Sequence, residues 1–375
     1  MIVFIKKIII FLFPIILLFI FPAMVIFYGR EFYSIKEVVA TQKEFSQTIF
    51  GFSYVSTLFF PYKNLLFREQ NGNVIALGTS RVMEIRKEFF IKPNSFVNAG
   101  GAVRSLNDAE KFVNDLPNNS NLKVIFFGLD QEMLYEDLNK NSDKKELLFP
   151  KRMIDTFSFM SRRMYLDYFS HKFNLNTLIN NSKENHNIGI SALINGDGFR
   201  YDGSYRYFEA QTNKNLIEDV NKRIQEKVGV IKKENNQNYN SKNKILEENL
   251  KKLSLFLKLC QEKGILVVGF APPFPQSVYS QMYEGSGIYK EMVIDNIKKE
   301  QDIFRKNNAL FFDFSSTLSF GGKDTEFVDE IHGTDKMYAR MILFMVENDK
   351  ELRYYIDEKA IRDLIKNSKN NFLNI

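Results

Sequence analysis

The sequence predicts an α/β protein: a three-layer α/β/α arrangement around an open, mostly parallel sheet. Three observations predict it. Short continuous apolar runs recur along the chain, as in strands buried on both faces. Each run ends in Gly, Ser, Asn, Asp or Pro. Stretches with helical periodicity separate several of the runs, and alternating strand and helix favours a parallel sheet.

Taken in order, Val74 to Leu77 runs into Gly78-Thr79-Ser80, and Ser95 to Val97 into Asn98-Ala99-Gly100-Gly101. Val124 to Phe127 is followed by Gly128-Leu129-Asp130, Ile265 to Phe270 by Ala271-Pro272-Pro273, and Leu310 to Phe312 by Asp313-Phe314-Ser315. Helical patterns cover Ser105 to Leu116, Lys244 to Lys263, Tyr289 to Lys306 and Asp335 to Asn348. In open α/β sheets ligands bind at the carboxyl ends of the strands, which is where these polar residues cluster.

Residues 1–28 are a different material. Twenty-four of them are hydrophobic, and Lys6 and Lys7 are the only charges. The uncharged run from Ile8 to Tyr28 is 21 residues. As a helix it spans about 32 Å, against a bilayer core of about 30 Å. Pro14 and Pro22 are tolerable in such a segment. The run exceeds a signal-peptide core and lacks a good small-x-small cleavage site, so it reads as an uncleaved anchor. The two lysines ahead of it predict a cytoplasmic N-terminus, with the main domain periplasmic or extracellular. The expected organisation is a transmembrane anchor over 1–29, a linker with an introductory helix over 30–70, and an α/β domain over 71–375. Residues 131–243 break the strand–helix rhythm and are too long for a loop, so they read as an insertion capping the site.

Composition excludes several functions. One cysteine, Cys260, rules out an internal disulfide or a Cys-based metal centre, and three scattered histidines rule out a His cage. No metal or other cofactor is expected. A net charge of +6 over 375 residues, both signs being abundant, is not the concentrated basic patch of a nucleic-acid binder.

The strongest chemical constellation is Ser80 with Asp329 and His332. A serine hydroxyl is a poor nucleophile until a base takes its proton. Imidazole suits that role near neutral pH. A carboxylate three residues before the histidine can fold back and fix its tautomer. Backbone amides of Ser80, Gly100 or Gly101 are candidate donors to an oxyanion. Taken singly, each piece has a plainer reading: a Gly-x-Ser turn with a helix cap, an Asp-x-x-His cap before the 335 helix, a tight Asn98–Gly101 turn. Asp313 reads as a strand-end cap. His171 and His186 sit in the polar insertion, which leaves His332 as the credible base.

The motifs Gly78-Thr79-Ser80, Asn98 to Gly101 and Asp329-x-x-His332 resemble the conserved blocks of the SGNH/GDSL hydrolase superfamily. The resemblance covers residues 74–130 and 265–348. Val82, where an α/β-hydrolase elbow has Gly, counts against that rival. One block departs: the family carries Gly-x-Asn-Asp, whose Asn donates to the oxyanion, and this chain has Gly128-Leu129-Asp130. An ionised Asp donates no hydrogen bond. Either Asp130 is protonated, or Asn98 substitutes, or the oxyanion hole is weaker. With its N-terminal hydrophobic helix and long insertion, the chain looks most like the membrane-anchored branch of D-alanyl-lipoteichoic acid biosynthesis proteins and alginate O-acetyltransferase relatives.

What the resemblance implies is a membrane-anchored serine esterase or O-acyltransferase acting on a cell-envelope glycan or lipid-linked acyl ester. Arg81 would contact an anionic group, and Tyr201, Tyr205 and Tyr207 would line a sugar cleft. The alternative is a non-catalytic SGNH-like partner of a membrane acyltransferase. The partners on either reading are the lipid bilayer and an acylated glycan or lipid-linked substrate, not nucleic acid.

Overall fold

The structure is a computed structural model that describes residues 2–54, 59–134, 160–236, 247–285 and 288–375. Its principal helices are α1 (Ile2–Gly29), α2 (Ile35–Glu44), α3 (Phe59–Gln70), α4 (Leu106–Asn114), α5 (Leu175–Glu184), α6 (Lys214–Asn236), α7 (Glu247–Glu262), α8 (Asp295–Lys306), α9 (Asp335–Asn348) and α10 (Glu358–Asn367). Two compact units emerge. One combines Met1–Leu58 with Lys145–Tyr201, and the other combines Phe59–Lys144 with Asp202–Ile375. The stretch expected as a single insertion, 131–243, is therefore divided between them.

The second unit holds the sheet. Its strands are β1 (Val74–Gly78), β2 (Phe96–Gly100), β3 (Val124–Gly128), β4 (Leu266–Ala271) and β5 (Leu310–Asp313). All pairings are parallel, and the order is β2-β1-β3-β4-β5. β1, β2 and β3 are buried at every residue, which is why β1 and β3 read as unbroken apolar runs and β2 is broken only by Asn98. The chain runs outward from β1 to β2 and then returns past β1 to β3, so the winding reverses between β1 and β3. Their carboxyl ends part there and leave a crevice.

Caps fix the helices that frame this sheet. Ser105 and Asp108 form a reciprocal capping box at α4, and Thr334 caps α9 through the Met337 amide. α7 packs on α4 and on α8. The buried core includes Phe126, Phe270, Phe314, Tyr338 and Ile342. The helix expected over Tyr289 to Lys306 is two pieces, Ile288–Val293 and Asp295–Lys306. β2 extends three residues beyond the expected Val97, because Asn98 and Ala99 pair with Ala76 and Leu77 in the ladder and Gly100 with Gly78.

The other unit contains α1, α2 and α5. Val25 and Ile26 of α1 pack with Met164, Phe173, Leu178 and Leu193. Side chains of α1 are described in part, and among the described residues no helix is long and apolar enough to cross a membrane. The sequence of Met153 to Phe173 reads as an aromatic helical patch; residues 160–169 are helical, and 153–159 lie outside the described residues. Tyr135 to Lys145 and Lys233 to Asn243 read as polar, exposed stretches; the first and residues 237–243 of the second lie outside the described residues.

Candidate active site

Ser80 stands at the carboxyl end of β1. Thr79 turns the chain by accepting the Arg81 amide on its hydroxyl at 3.2 Å, so Ser80 begins a single 3-10 turn, Ser80–Val82. Two glycines make room for this turn. A side chain at Gly128 of β3 would strike Val82, and Gly101 has φ +82, which an L side chain rarely adopts. The hydroxyl of Ser80 is thereby presented at the strand-end crevice.

His332 meets it from the far end of the sequence. Ser80 Oγ lies 2.8 Å from His332 Nε2, and His332 Nδ1 lies 2.6 Å from Asp329 Oδ2. The other Asp329 oxygen accepts the amides of Ile331 at 2.8 Å and His332 at 2.7 Å. One carboxylate therefore both folds the 329–332 turn and orients the ring. The turn is held at its base by Val328 N–His332 O at 2.8 Å and Thr334 N–Glu326 O at 2.9 Å. Glu326, itself buried, is gripped by Arg340 of α9.

Burial by itself would raise the Asp329 carboxyl. The hydrogen bond and charge of His332, with the two amides, outweigh it and hold the carboxyl below its ordinary value. An anionic Asp329 fixes the proton on Nδ1, which leaves the Nε2 lone pair facing the Ser80 hydroxyl.

Three of the expected oxyanion donors, Asn98, Gly100 and Gly101, are engaged within the protein. Asn98, fully buried, donates to the carbonyls of Val82 at 2.8 Å and Ile85 at 2.9 Å, and its oxygen accepts the Gly100 amide at 2.7 Å. The Gly101 amide is shared between the carbonyls of Gly78 and Thr79, both at 2.9 Å. These three residues clasp the Ser80 turn. The Ser80 amide, as the first N–H of a helical turn, has no partner within that turn.

Asp130 is an acceptor on both oxygens. Arg81 reaches Oδ1 at 2.7 Å, and the Thr79 hydroxyl donates to Oδ2. Two donors facing it are at odds with a protonated, donating Asp130. Arg81 is buried, with its guanidinium engaged by protein groups. It also donates to the Pro273 carbonyl at 2.6 Å and stacks its guanidinium 4.5 Å from the Phe274 ring centre. The Tyr338 hydroxyl donates to the Arg81 carbonyl. Arg81 thus ties together the ends of β1, β3 and β4 around the serine.

Sequence reasoning missed three groups. Arg86 is buried and bridges Glu84 at 2.7 Å, Asp335 at 3.3 Å, Ser204 Oγ at 3.0 Å and the Tyr205 carbonyl at 2.6 Å. That joins the segment after Ser80 to the first residue of α9. Lys63 of α3 is fully buried and donates to the carbonyls of Asn98 and Gly203. Burial, opposed by the charge of Asp202, lowers its pKa to about 7. Glu300 of α8 is also fully buried; burial first, then Asp313 and Asp130, push its carboxyl well above the ordinary range. In sequence nothing separates Arg86, Lys63 and Glu300 from the exposed charges around them.

Tyr205 and Tyr207 belong to this unit. The Tyr205 amide bonds Met83 O at 3.0 Å, and the two rings lie 4.7 Å apart. Burial first, then the charges of Glu84, Tyr205 and Asp329, pushes the Tyr207 phenol well up. Tyr201 falls in the other unit, as do His171 and His186, and His186 stacks on Phe45 at 3.6 Å. Asp313 caps its strand end by accepting the Ser315 amide, as expected. Among the described residues no group of His, Cys, Asp and Glu is placed to hold a metal ion.

Comparison with family models, with curated proteins and with solved structures finds no match to this chain.

Proposed function

We propose that the chain is a membrane-anchored, SGNH-like serine esterase or O-acyltransferase acting on an acyl ester of a cell-envelope glycan or lipid-linked donor. One observation carries the reading: Ser80, His332 and Asp329 meet in bonding order, at 2.8 and 2.6 Å, at the carboxyl end of a parallel sheet. The strand order, the same as in flavodoxin-like doubly wound sheets, supports the finer assignment of a three-layer α/β/α fold.

In the reaction, Ser80 Oγ attacks the ester carbonyl while its proton passes to His332 Nε2. Asp329 stabilises the imidazolium that results. The Ser80 amide donates to the oxyanion. The leaving alcohol takes the proton from His332 as the acyl-serine forms. Water or a sugar hydroxyl then gives its proton to His332, attacks the acyl-serine and frees Ser80. The apolar α1 would hold the domain at the cytoplasmic membrane, with the N-terminus inside.

A serine-directed fluorophosphonate tests the nucleophile. The wild type labels and Ser80→Ala does not; equal labelling of the two proteins would end the assignment. If the triad acts as a unit, Ser80→Ala lowers turnover by about 10⁶.

A second reading has its own support. Asp130 pairs with Arg81 where the family has a donating Asn, and Asn98, Gly100 and Gly101 are spent internally. A degenerate domain serving a membrane acyltransferase fits that depletion. Normal surface acylation in cells carrying His332→Ala would favour it over catalysis.

A further inference from the structure

The unit that contains α1 exposes large apolar side chains. Phe13 is 56% exposed, Leu18 59%, Phe27 75% and Phe169 71%. Aromatic residues gather along the same stretch. Phe21 stacks on Tyr165 at 4.7 Å and meets Tyr168 edge-on at 4.9 Å, and the Tyr165 hydroxyl donates to the Leu18 carbonyl at 2.7 Å. Such a collar is the composition of a membrane–water boundary.

A cavity of about 560 Å³ opens within this unit at the C-terminal end of α1. Ala23, Ile26, Phe27, Tyr28, Arg30 and Phe32 line most of it. Its walls are mainly apolar and aromatic, with one cation. Arg30 donates to three backbone carbonyls, those of Ser182 at 2.5 Å, Asn187 at 2.6 Å and Asn185 at 3.1 Å. Among the described residues no carboxylate pairs with it, so a unit positive charge borders an apolar chamber without a counter-ion. The volume lies within the range of about 300–1,000 Å³ typical of small-molecule sites.

We propose that this cavity binds one phospholipid of the surrounding bilayer, with an acyl chain among Ala23, Ile26, Phe27 and Phe32 and an anionic phosphate at Arg30. The site rests on the reading of α1 as a membrane anchor. The anchor then does more than hold the chain at the bilayer, since one annular lipid becomes a fixed part of the unit that contains α1. Continuity supports the occupant, because the last residues of the uncharged run, Ala23 to Tyr28, help line the cavity and Phe27 also belongs to the exposed apolar face.

The test uses the full chain in phosphatidylcholine vesicles doped with phosphatidylglycerol carrying a diazirine on its acyl chain. After irradiation, mass spectrometry maps the lipid adducts. Adducts should concentrate on residues 23–33. Ala23→Trp, a change at an exposed helix position, fills the cavity and should reduce them at least about fivefold without altering the circular dichroism. Arg30→Gln should lower the preference for phosphatidylglycerol over a zwitterionic probe by about fivefold, the weight of one basic residue at an anionic surface. Carbonate extraction of the same vesicles reports the anchor separately. Protein that resists extraction but carries adducts spread evenly along residues 8–28 would overturn the lipid site while leaving the anchor intact. Protein stripped by carbonate would overturn both. A photoreactive residue at position 23 that captures a polypeptide in native membranes would replace the lipid with a partner helix.

Discussion

Replacing Asp329 with Asn separates the two roles of this carboxylate. Its Oδ1 accepts the Ile331 and His332 amides, and an amide oxygen can keep both bonds. Its Oδ2 faces His332 Nδ1 at 2.6 Å, and there the variant presents an NH2 group. Two donors cannot face each other, so the imidazole moves its proton to Nε2. That nitrogen then points a hydrogen at Ser80 Oγ and has no lone pair to receive one. The expected loss is the wrong-tautomer penalty, about 10⁴ in turnover, or about 5.4 kcal/mol of activation free energy. The variant should fold, because the turn keeps its amide bonds, and should lose only the stabilisation that the charged Oδ2 gains from His332. Asp329→Ala loses those bonds as well and should cost about 1–3 kcal/mol of stability in addition. The assay is the rate of fluorophosphonate labelling, with release of p-nitrophenol from a short-chain ester as a second readout, each beside a thermal melt. An Asn variant that labels at the wild-type rate with an unchanged melt would refute the claim that Asp329 sets the tautomer.

Acidification should act on the same group. The Asp329 carboxyl lies below its unfolded value, so its contribution to stability is fully present above the ordinary carboxylate pKa of about 3.9 and is lost as pH falls through the folded value. The melting temperature of Asp329→Asn should therefore converge with that of the wild type only at strongly acid pH. Lys63 predicts an opposite trend. Its folded pKa is about 7 and its unfolded one about 10.4, so the unfolded chain holds the extra proton between those values and stability rises with pH by up to about 1.4 kcal/mol per unit. Lys63→Met should abolish that rise in denaturant titrations made between pH 7 and 10; an unchanged slope would mean that Lys63 is not the source. Asp130→Ala leaves Arg81 buried without its counter-charge and should cost about 3–5 kcal/mol, measurable by urea unfolding. Gly101→Ala forces a side chain into φ +82 and should cost about 1–2 kcal/mol and slow labelling of Ser80.

The sheet was readable because its strands are buried on both faces. A run such as Val124 to Phe127 carries no polar residue to confuse the pattern. That Ser80, Asp329 and His332 would meet was readable because a serine at a strand end and an Asp-x-x-His turn in a late loop are the residue types that pair in this order. The role of the residues beneath them was not. Asn98 and Gly100 read as turn formers, since those residues favour turns when nothing else binds them. Here the Asn98 side chain is consumed by the carbonyls of Val82 and Ile85, so the backbone stays in the ladder. Arg81 reads like a surface charge; only the return of Asp130 and Pro273 to the same place buries it. The division of residues 131–243 between two units was hidden for the same reason. Burial of Arg86 depends on Ser204 and Asp335, which lie 118 and 249 positions away.

The spacing of the triad also sets a clock on synthesis. Asp329 and His332 share one turn, so a single junction, across 252 positions, completes the site. At about 5–20 residues per second a ribosome needs about 13–50 s to pass from Ser80 to His332. Through that interval Ser80 has no imidazole partner. On the proposed chemistry, no acyl-serine forms on the nascent chain before α9 and the sheet have met.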